Sequence, residues 1–96
     1  MLYEWNAAKA SANARKHGVS FEEASSVFLD PFAMTFADPD HSPEKEREIT
    51  IGCSLRNRVL FVAHCRRGDR TRIISARKAT RRERFQYEEA KSSESN

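Results

Sequence analysis

Three consecutive segments between residues 47 and 77 restrict the fold of this chain more than any other feature of its sequence. From Arg47 onward, apolar and polar residues alternate, which is typical of a half-buried strand that turns through Leu55 to Asn57. The next segment, Val59 to Cys65, is apolar on both faces, which favours a central strand covered on both sides. A hairpin through Arg66 to Asp69 leads into a third strand, Arg70 to Arg77. The pattern predicts an antiparallel sheet.

The segment before these strands carries the signals of two short helices. Asn6 precedes a run of alanines and can cap a first helix, which Gly18 ends. Ser20 and Glu23 form a capping box that opens a second helix, and this helix stops before Asp30 because a proline follows it. Two helices are therefore expected ahead of the main strands.

A third helix is expected after the strands. Thr80 and Glu83 form another capping box, which opens a helix from about Arg81 to about Lys91 with Phe85 facing the core. Residues 92–96 are polar and are expected to form a disordered tail. The domain is therefore predicted to span residues 1–91.

Two further short strands, Leu2 to Trp5 and Phe32 to Phe36, complete the order β-α-α-β-β-β-β-α, and Asp38 to Pro43 forms a polar loop. The fold class is α+β: a curved antiparallel β-sheet with two N-terminal helices and one C-terminal helix, the helices lying mainly on one face. A chain of 96 residues can build one modest core, so any functional site must lie on the surface of a single domain.

The positive charge of the chain is concentrated in one stretch. The net charge is only +3, but residues 56–84 contain 11 basic and 2 acidic side chains, whereas residues 1–55 contain 5 basic and 9 acidic ones. A local excess of this size predicts an anionic partner, such as nucleic acid or an acidic protein segment.

The cysteine content and the start of the chain favour a cytoplasmic protein. Cys53 and Cys65 match neither a redox pair nor a zinc knuckle in their spacing, and the opening residues do not resemble a signal sequence. No apolar run approaches the length needed to span a membrane, so no membrane association is expected. The three histidines lack metal-ligand spacing, and neither a metal nor a cofactor is expected.

Several blocks of the sequence resemble the BrnT family of toxins of type II toxin–antitoxin systems. The resemblance covers residues 2 to 90, and its longest block joins a strand, a basic tip and a capping box. The blocks are Trp5-Asn6 before the alanine-rich helix, the run from Arg15 to Ala24, the Asp-Pro-Asp-His loop, the run from Arg72 to Arg84, and Tyr87-Glu88.

This resemblance implies a fold, an activity and partners. It implies a RelE-like fold and an endoribonuclease that cleaves RNA without a metal. It also implies a BrnA-type antitoxin that wraps the toxin and binds operator DNA, so that the toxin meets DNA only through the antitoxin. Either a dimer or a heterotetramer with the antitoxin is compatible with it.

Metal-independent cleavage of RNA uses the 2′-hydroxyl of the substrate as the nucleophile, so the protein needs proton-transfer groups and cations. His64 is the first choice for proton transfer, because it ends the central strand beside an arginine-rich hairpin. The alternative is a histidine that only packs or caps the hairpin.

Arg72 and Arg77 are candidates for holding the phosphate, since arginine donates two parallel hydrogen bonds. A regular strand would place them on opposite faces. A two-residue turn at Arg67-Gly68 puts His64 on the face of Arg77, and a shift of one residue puts it with Arg72. The sequence leaves both registers open.

Two further pairs lie near the ends of predicted elements. Glu46 and Arg47 begin the first long strand and could supply a carboxylate base and a second cation, although a solvated charged run is the simpler interpretation. Lys16 and His17 end the first helix, where they either bind substrate or offset the helix dipole.

The passage from the third long strand into the last helix is strongly basic. Lys78, Arg81 and Arg82, together with Arg84, form a tip that opposes the dipole of this helix, which favours an anionic ligand there. Tyr87 could stack on a base, or it could lie in the core.

A non-catalytic protein is the alternative from a different functional class. The basic stretch predicts affinity for nucleic acid but not catalysis, so the chain could be a nucleic-acid-binding module or a subunit of an operator complex. A metal-dependent phosphodiesterase is a third hypothesis, and it would lose its activity in chelator.

Overall fold

One mixed sheet in the order β1-β5-β4-β3-β2 organises the chain in a computed structural model that describes residues 2–40 and 46–95, with side chains as far as residue 93. The predicted element order β-α-α-β-β-β-β-α is confirmed. The elements are β1 (Leu2–Glu4), α1 (Ala7–His17), α2 (Phe21–Ser25) with a 3₁₀ turn (Ser26–Leu29), β2 (Met34–Ala37), β3 (Arg47–Cys53), β4 (Val59–Arg67), β5 (Arg70–Lys78) and α3 (Arg81–Ser95).

The three long strands form the expected antiparallel meander. β2, β3, β4 and β5 pair antiparallel to their neighbours, whereas β1 pairs parallel to the start of β5 and forms one edge of the sheet. No helix among residues 2–40 and 46–95 is long and apolar enough to cross a membrane.

The helix ends follow the local signals in the sequence. Asn6 accepts a hydrogen bond from the Lys9 amide at 2.9 Å, and α1 ends at Gly18, whose φ of 68° is readily adopted by glycine. Ser20 accepts from the Glu23 amide at 3.0 Å, but the Glu23 carboxylate binds elsewhere, so only half of the predicted capping box forms.

Apolar residues pack on both faces of the sheet. On one face, Leu60 and Val62 of β4 pack against Phe21 and Ala24 of α2, with Ala10 of α1 beside them. On the other face, Ile49, Ile51 and Ala63 form a second cluster with Tyr87 of α3. Two helices therefore cover one face, as expected, and α3 covers part of the opposite one.

The C-terminal helix differs from the prediction in its length and its inward residue. It runs to Ser95, beyond the expected end at Lys91, and Phe85 is 61% exposed whereas Tyr87 is 2% exposed. The helix thus turns Tyr87 inward and Phe85 outward, and the expectation that Phe85 faces the core was wrong. The polar loop predicted from Asp38 to Pro43 lies outside the described residues from residue 41 onward.

Asn13 completes the exposed edge of β5. β1 pairs only with residues 70–72 of β5, and beyond them the Asn13 amide accepts from the Ala76 N–H at 3.1 Å and donates to the Ala76 carbonyl at 2.8 Å. It also donates to the Val19 carbonyl at 2.9 Å. One buried side chain thereby replaces a missing strand and fixes α1 along β5.

Replacing Asn13 with alanine should destabilise the fold by about 2 to 4 kcal/mol, because three buried backbone groups would lose their partner. Urea unfolding of Asn13→Ala against Ser11→Ala measures this, since Ser11 is exposed on the same helix and its loss should change stability by less than about 0.5 kcal/mol. Both variants introduce alanine into α1, so the favourable helix propensity of alanine is present in each of them. Equal stability of the two variants would therefore contradict the role given to Asn13.

Candidate functional site

A bulge in β5 decides which candidate residues share a face of the sheet. The hairpin turns at Gly68-Asp69, one residue later than Arg67-Gly68, the first of the two turns that the sequence left open, and the register shifts between Ala63 and His64. As a result Arg72 lies opposite Cys65 and Arg77 lies opposite Phe61.

Cys65 and Phe61 are four residues apart in one strand and so lie on the same face, together with their partners Arg72 and Arg77. The expectation that the two arginines lie on opposite faces was therefore wrong. His64 alternates with Cys65 and lies on the other face, away from both arginines.

His64 is buried and does not reach the surface. It is 5% exposed, its Nε2 lies 2.7 Å from the Thr50 hydroxyl, and its ring packs edge-on against Phe28 with 4.9 Å between the ring centroids. Burial lowers the pKa of His64, with a smaller opposing effect from Glu48. The expectation that His64 transfers protons at the surface was wrong. His64 packs in the core, which was the alternative interpretation.

Arg77 connects the sheet to the start of α3. Its guanidinium donates to both carboxylate oxygens of Glu83, at 2.8 and 3.1 Å, and lies 3.8 Å above the Phe61 ring. Glu83 also accepts from the Thr80 amide at 2.8 Å, so this capping box is complete, and Arg77 holds the pKa of Glu83 below its usual value. Arg77 is thus engaged in holding α3 in place.

Arg72 lies at the other end of β5, which we call the hairpin end. It pairs with Glu4 of β1 at 2.7 Å, and both side chains are about a quarter exposed. Arg47 lies opposite Cys65 in the same row across the sheet, and Glu46 lines a shallow pocket with Arg47 and Arg66. The structure therefore separates Glu46, Arg47 and Arg72 from the other candidates.

Four chain segments meet at the opposite end of the sheet. The Arg58 guanidinium, just before β4, donates to the carbonyl of Gly18 at the end of α1, with an N–O distance of 3.1 Å. The Ala79 amide, which follows β5, donates to the Val59 carbonyl at 2.9 Å and leads into α3. We call this region the basic end. The residues with basic side chains that belong to it are Lys16, His17, Arg58, Lys78, Arg81, Arg82, Arg84 and Lys91.

A cleft of about 460 Å³ lies at the basic end, between α3 and the turn that joins β3 to β4. Arg58, Lys78, Arg84 and Lys91 line it, with Glu88 as the acidic side chain at its wall. Such a cleft can attract an anion, because cations on several sides act on the same volume.

Arg58 is held at this cleft by a buried carboxylate. Its guanidinium binds both oxygens of Glu23, which is 8% exposed and also accepts from the Ser54 hydroxyl at 2.7 Å. The hydrogen bond from Arg58 holds the pKa of Glu23 below its usual value. Sequence reasoning missed this pair, which is separated by 35 residues and whose acidic member was accounted for as a helix cap.

Tyr87 forms part of the floor of the cleft. Its hydroxyl donates to the Asp30 carboxylate at 2.5 Å, and Asp30 also accepts from the backbone amides of Cys53 and Phe32. Burial and the Asp30 carboxylate raise the pKa of Tyr87. A ring that is 2% exposed cannot stack on a base, so Tyr87 has a packing role and the stacking prediction was wrong.

The remaining candidates are accessible. Lys16 is exposed and His17 is half-buried, and together they line a shallow pocket beside Ser75 of β5. Lys78, Arg81 and Arg82 are exposed and make no ion pair with another described residue. These five residues, unlike His64 and Tyr87, can contact a ligand without a change in the fold.

Comparison with known proteins gives one family and one fold. A family model described as the ribonuclease toxin BrnT of type II toxin–antitoxin systems matches residues 5–83. The crystal structure of the Brucella abortus ribonuclease toxin BrnT is similar to this chain with a TM-score of 0.66, covering 84% of this chain and 100% of that one at 21% identity. No curated protein matches.

The buried His64 should make the protein less stable in mild acid. Its folded pKa lies below the unfolded value near 6.5, so the unfolded chain takes up a proton first as the pH falls. The free energy of unfolding should therefore decline from about pH 7 to about pH 5, before most carboxylates titrate. Urea unfolding across this range measures the slope, which should be smaller in His64→Gln; an NMR titration of His64 at its ordinary pKa would contradict this account.

Proposed function

The chain belongs to the BrnT family of ribonuclease toxins of type II toxin–antitoxin systems, and on this basis we propose that it is a metal-independent endoribonuclease. In this proposal RNA binds at the basic end, and the 2′-hydroxyl of the substrate attacks the adjacent phosphorus. The convergence of α1, β4, β5 and α3 on one set of accessible cations is the observation that supports it most.

Cations at the basic end would bind the phosphate backbone. Lys78, Arg81 and Arg82 carry charge that no described acidic side chain neutralises, so a phosphate can approach them without displacing an ion-pair partner among the described residues. Arg58 differs, because Glu23 orients it in advance and thereby reduces the entropic cost of binding an anion. Arg77 acts as a positioning residue through Glu83 and the start of α3.

His17 is the described histidine that can reach RNA, and we assign it the proton transfer. It lies next to Gly18, whose carbonyl binds Arg58, so the end of α1 that carries it lies at the same end of the sheet as the cleft. His17 itself lines a separate shallow pocket beside Ser75. An imidazole can accept a proton from the 2′-hydroxyl or donate one to the leaving oxygen near neutral pH. Lys16 beside it would stabilise the negative charge that develops on the phosphate.

The partner follows from the family and from the charge. We propose that a BrnA-type antitoxin covers the basic end, since an acidic segment would occupy the same electrostatic surface as RNA. Operator DNA would then contact the antitoxin rather than this chain.

The burial of His64 and Tyr87 favours a second candidate function. With both groups in the core, neither of these two side chains can transfer a proton to or from RNA, as expected for a non-catalytic nucleic-acid-binding subunit. Such a protein would bind RNA at the basic end but would not cut it.

Purified protein should cleave RNA in excess chelator and leave a cyclic phosphate on the product, because the 2′-hydroxyl is the nucleophile. His17→Gln should lower the single-turnover rate about a hundredfold, the usual loss when one acid–base group is removed. Arg15→Gln is the matched control, since Arg15 is exposed on the same turn of α1 and lines no described pocket.

The outcomes separate the candidate functions. Binding without cleavage would support the non-catalytic subunit, and activity that appears only with added divalent metal would support a metal-dependent phosphodiesterase. Equal rates for His17→Gln and Arg15→Gln would reject His17 as the proton-transfer group while leaving the ribonuclease in place.

A further inference from the structure

The outer face of α3 exposes an aromatic residue, Phe85. Phe85 is 61% exposed, whereas Tyr87 on the inner face of the same helix is 2% exposed. Two shallow depressions surround Phe85, and all the residues that line them belong to α3 itself. The face therefore stands clear of the rest of the described protein and is open to a partner.

The charges on this face are arranged symmetrically about Phe85. Arg82 and Glu88 lie three residues before and after it, and Arg81 and Glu89 lie four residues before and after it. Spacings of three and four residues put all five side chains on one face of a helix. The face therefore has a basic half before Phe85 and an acidic half after it. Turning the helix end for end exchanges the two halves.

This arrangement does not stabilise the isolated helix. Arg81 and Arg82 lie in the first turn of α3, where positive charge opposes the helix dipole. Glu88 and Glu89 lie six to eight residues further along the helix, too far to pair with these two arginines within it. None of the four charged side chains forms an ion pair with another described residue. The simplest physical explanation of this charge pattern is therefore a partner outside the described chain.

We propose that this partner is a second copy of the same chain, docked with its α3 antiparallel across a two-fold axis at Phe85. In that arrangement Arg81 faces Glu89 of the second copy, Arg82 faces its Glu88, and the two Phe85 rings meet at the centre. A two-fold interface requires a surface that is complementary to itself, and the charges of this face have that property. The antiparallel helix dipoles also attract each other.

The size of the face predicts a weak and reversible dimer. From Arg81 to Glu89 the helix rises about 12 Å, so the contact is smaller than a standard stable interface. A dissociation constant of about 10 µM to 1 mM is expected. Dimerisation would cover Arg81 and Arg82, the two arginines that bind RNA in the proposed function. RNA binding and self-association would then compete, and this one consequence rests on the proposed function.

Sedimentation equilibrium of the purified chain without RNA tests the inference, using charge-reversed variants of this exposed face. Arg81→Glu with Arg82→Glu gives an acidic face, and Glu88→Arg with Glu89→Arg gives a basic one. Each variant alone should dimerise at least about tenfold more weakly than the parent, because like charges then face each other. An equimolar mixture should form heterodimers more tightly than the parent forms homodimers, and the variant with all four reversals should regain self-association.

Two further variants complete the experiment. Phe85→Ser should weaken association without lowering the melting temperature, and Arg66→Glu with Arg67→Glu at the hairpin should leave it unchanged, as a control for net charge. A parent that remains monomeric at about 1 mM, or a mixture that associates no better than its components, would overturn the inference. Ribonuclease activity is not measured, so failure of the proposed function would leave this result intact.

Discussion

The short β1 strand imposes the constraint on which the rest of the structure depends. It pairs with only the first three residues of β5, so the remaining edge of β5 needs hydrogen-bond partners from another element. Asn13 supplies them, and its position along α1 fixes the helix beside β5. Because α1 then ends next to Arg58, this single side chain also brings Lys16 and His17 to the basic end.

Most of the fold could be predicted from local signals, and the part that could not has a definite physical cause. Helix caps at Asn6, Ser20 and Thr80 act over three residues, so the sequence reveals them directly. The bulge in β5 falls at Ile73 and Ile74, which are both apolar and pack on opposite faces. Alternation of polar and apolar residues therefore carried no information about where the register shifts.

The candidate site was predictable in its charge but not in its geometry. Sequence reasoning found the basic tip at Lys78 to Arg84, because charge density requires no knowledge of contacts. It missed Arg58, since its orientation depends on Glu23 from a distant helix. The burial of His64 had a signal, as this histidine lies in a segment that is apolar on both faces, and Phe28 covers it in the structure.

The central claim is that RNA binds at the basic end and not at the arginine-rich hairpin. Salt dependence of binding to a non-cleavable 2′-O-methyl RNA tests it most directly, because each phosphate that a variant no longer neutralises reduces the slope of log affinity against log salt by about 0.7. The account predicts a smaller slope for Arg81→Gln with Arg82→Gln and the parental slope for Arg66→Gln with Arg67→Gln. The reverse result would place RNA on the hairpin and contradict the account.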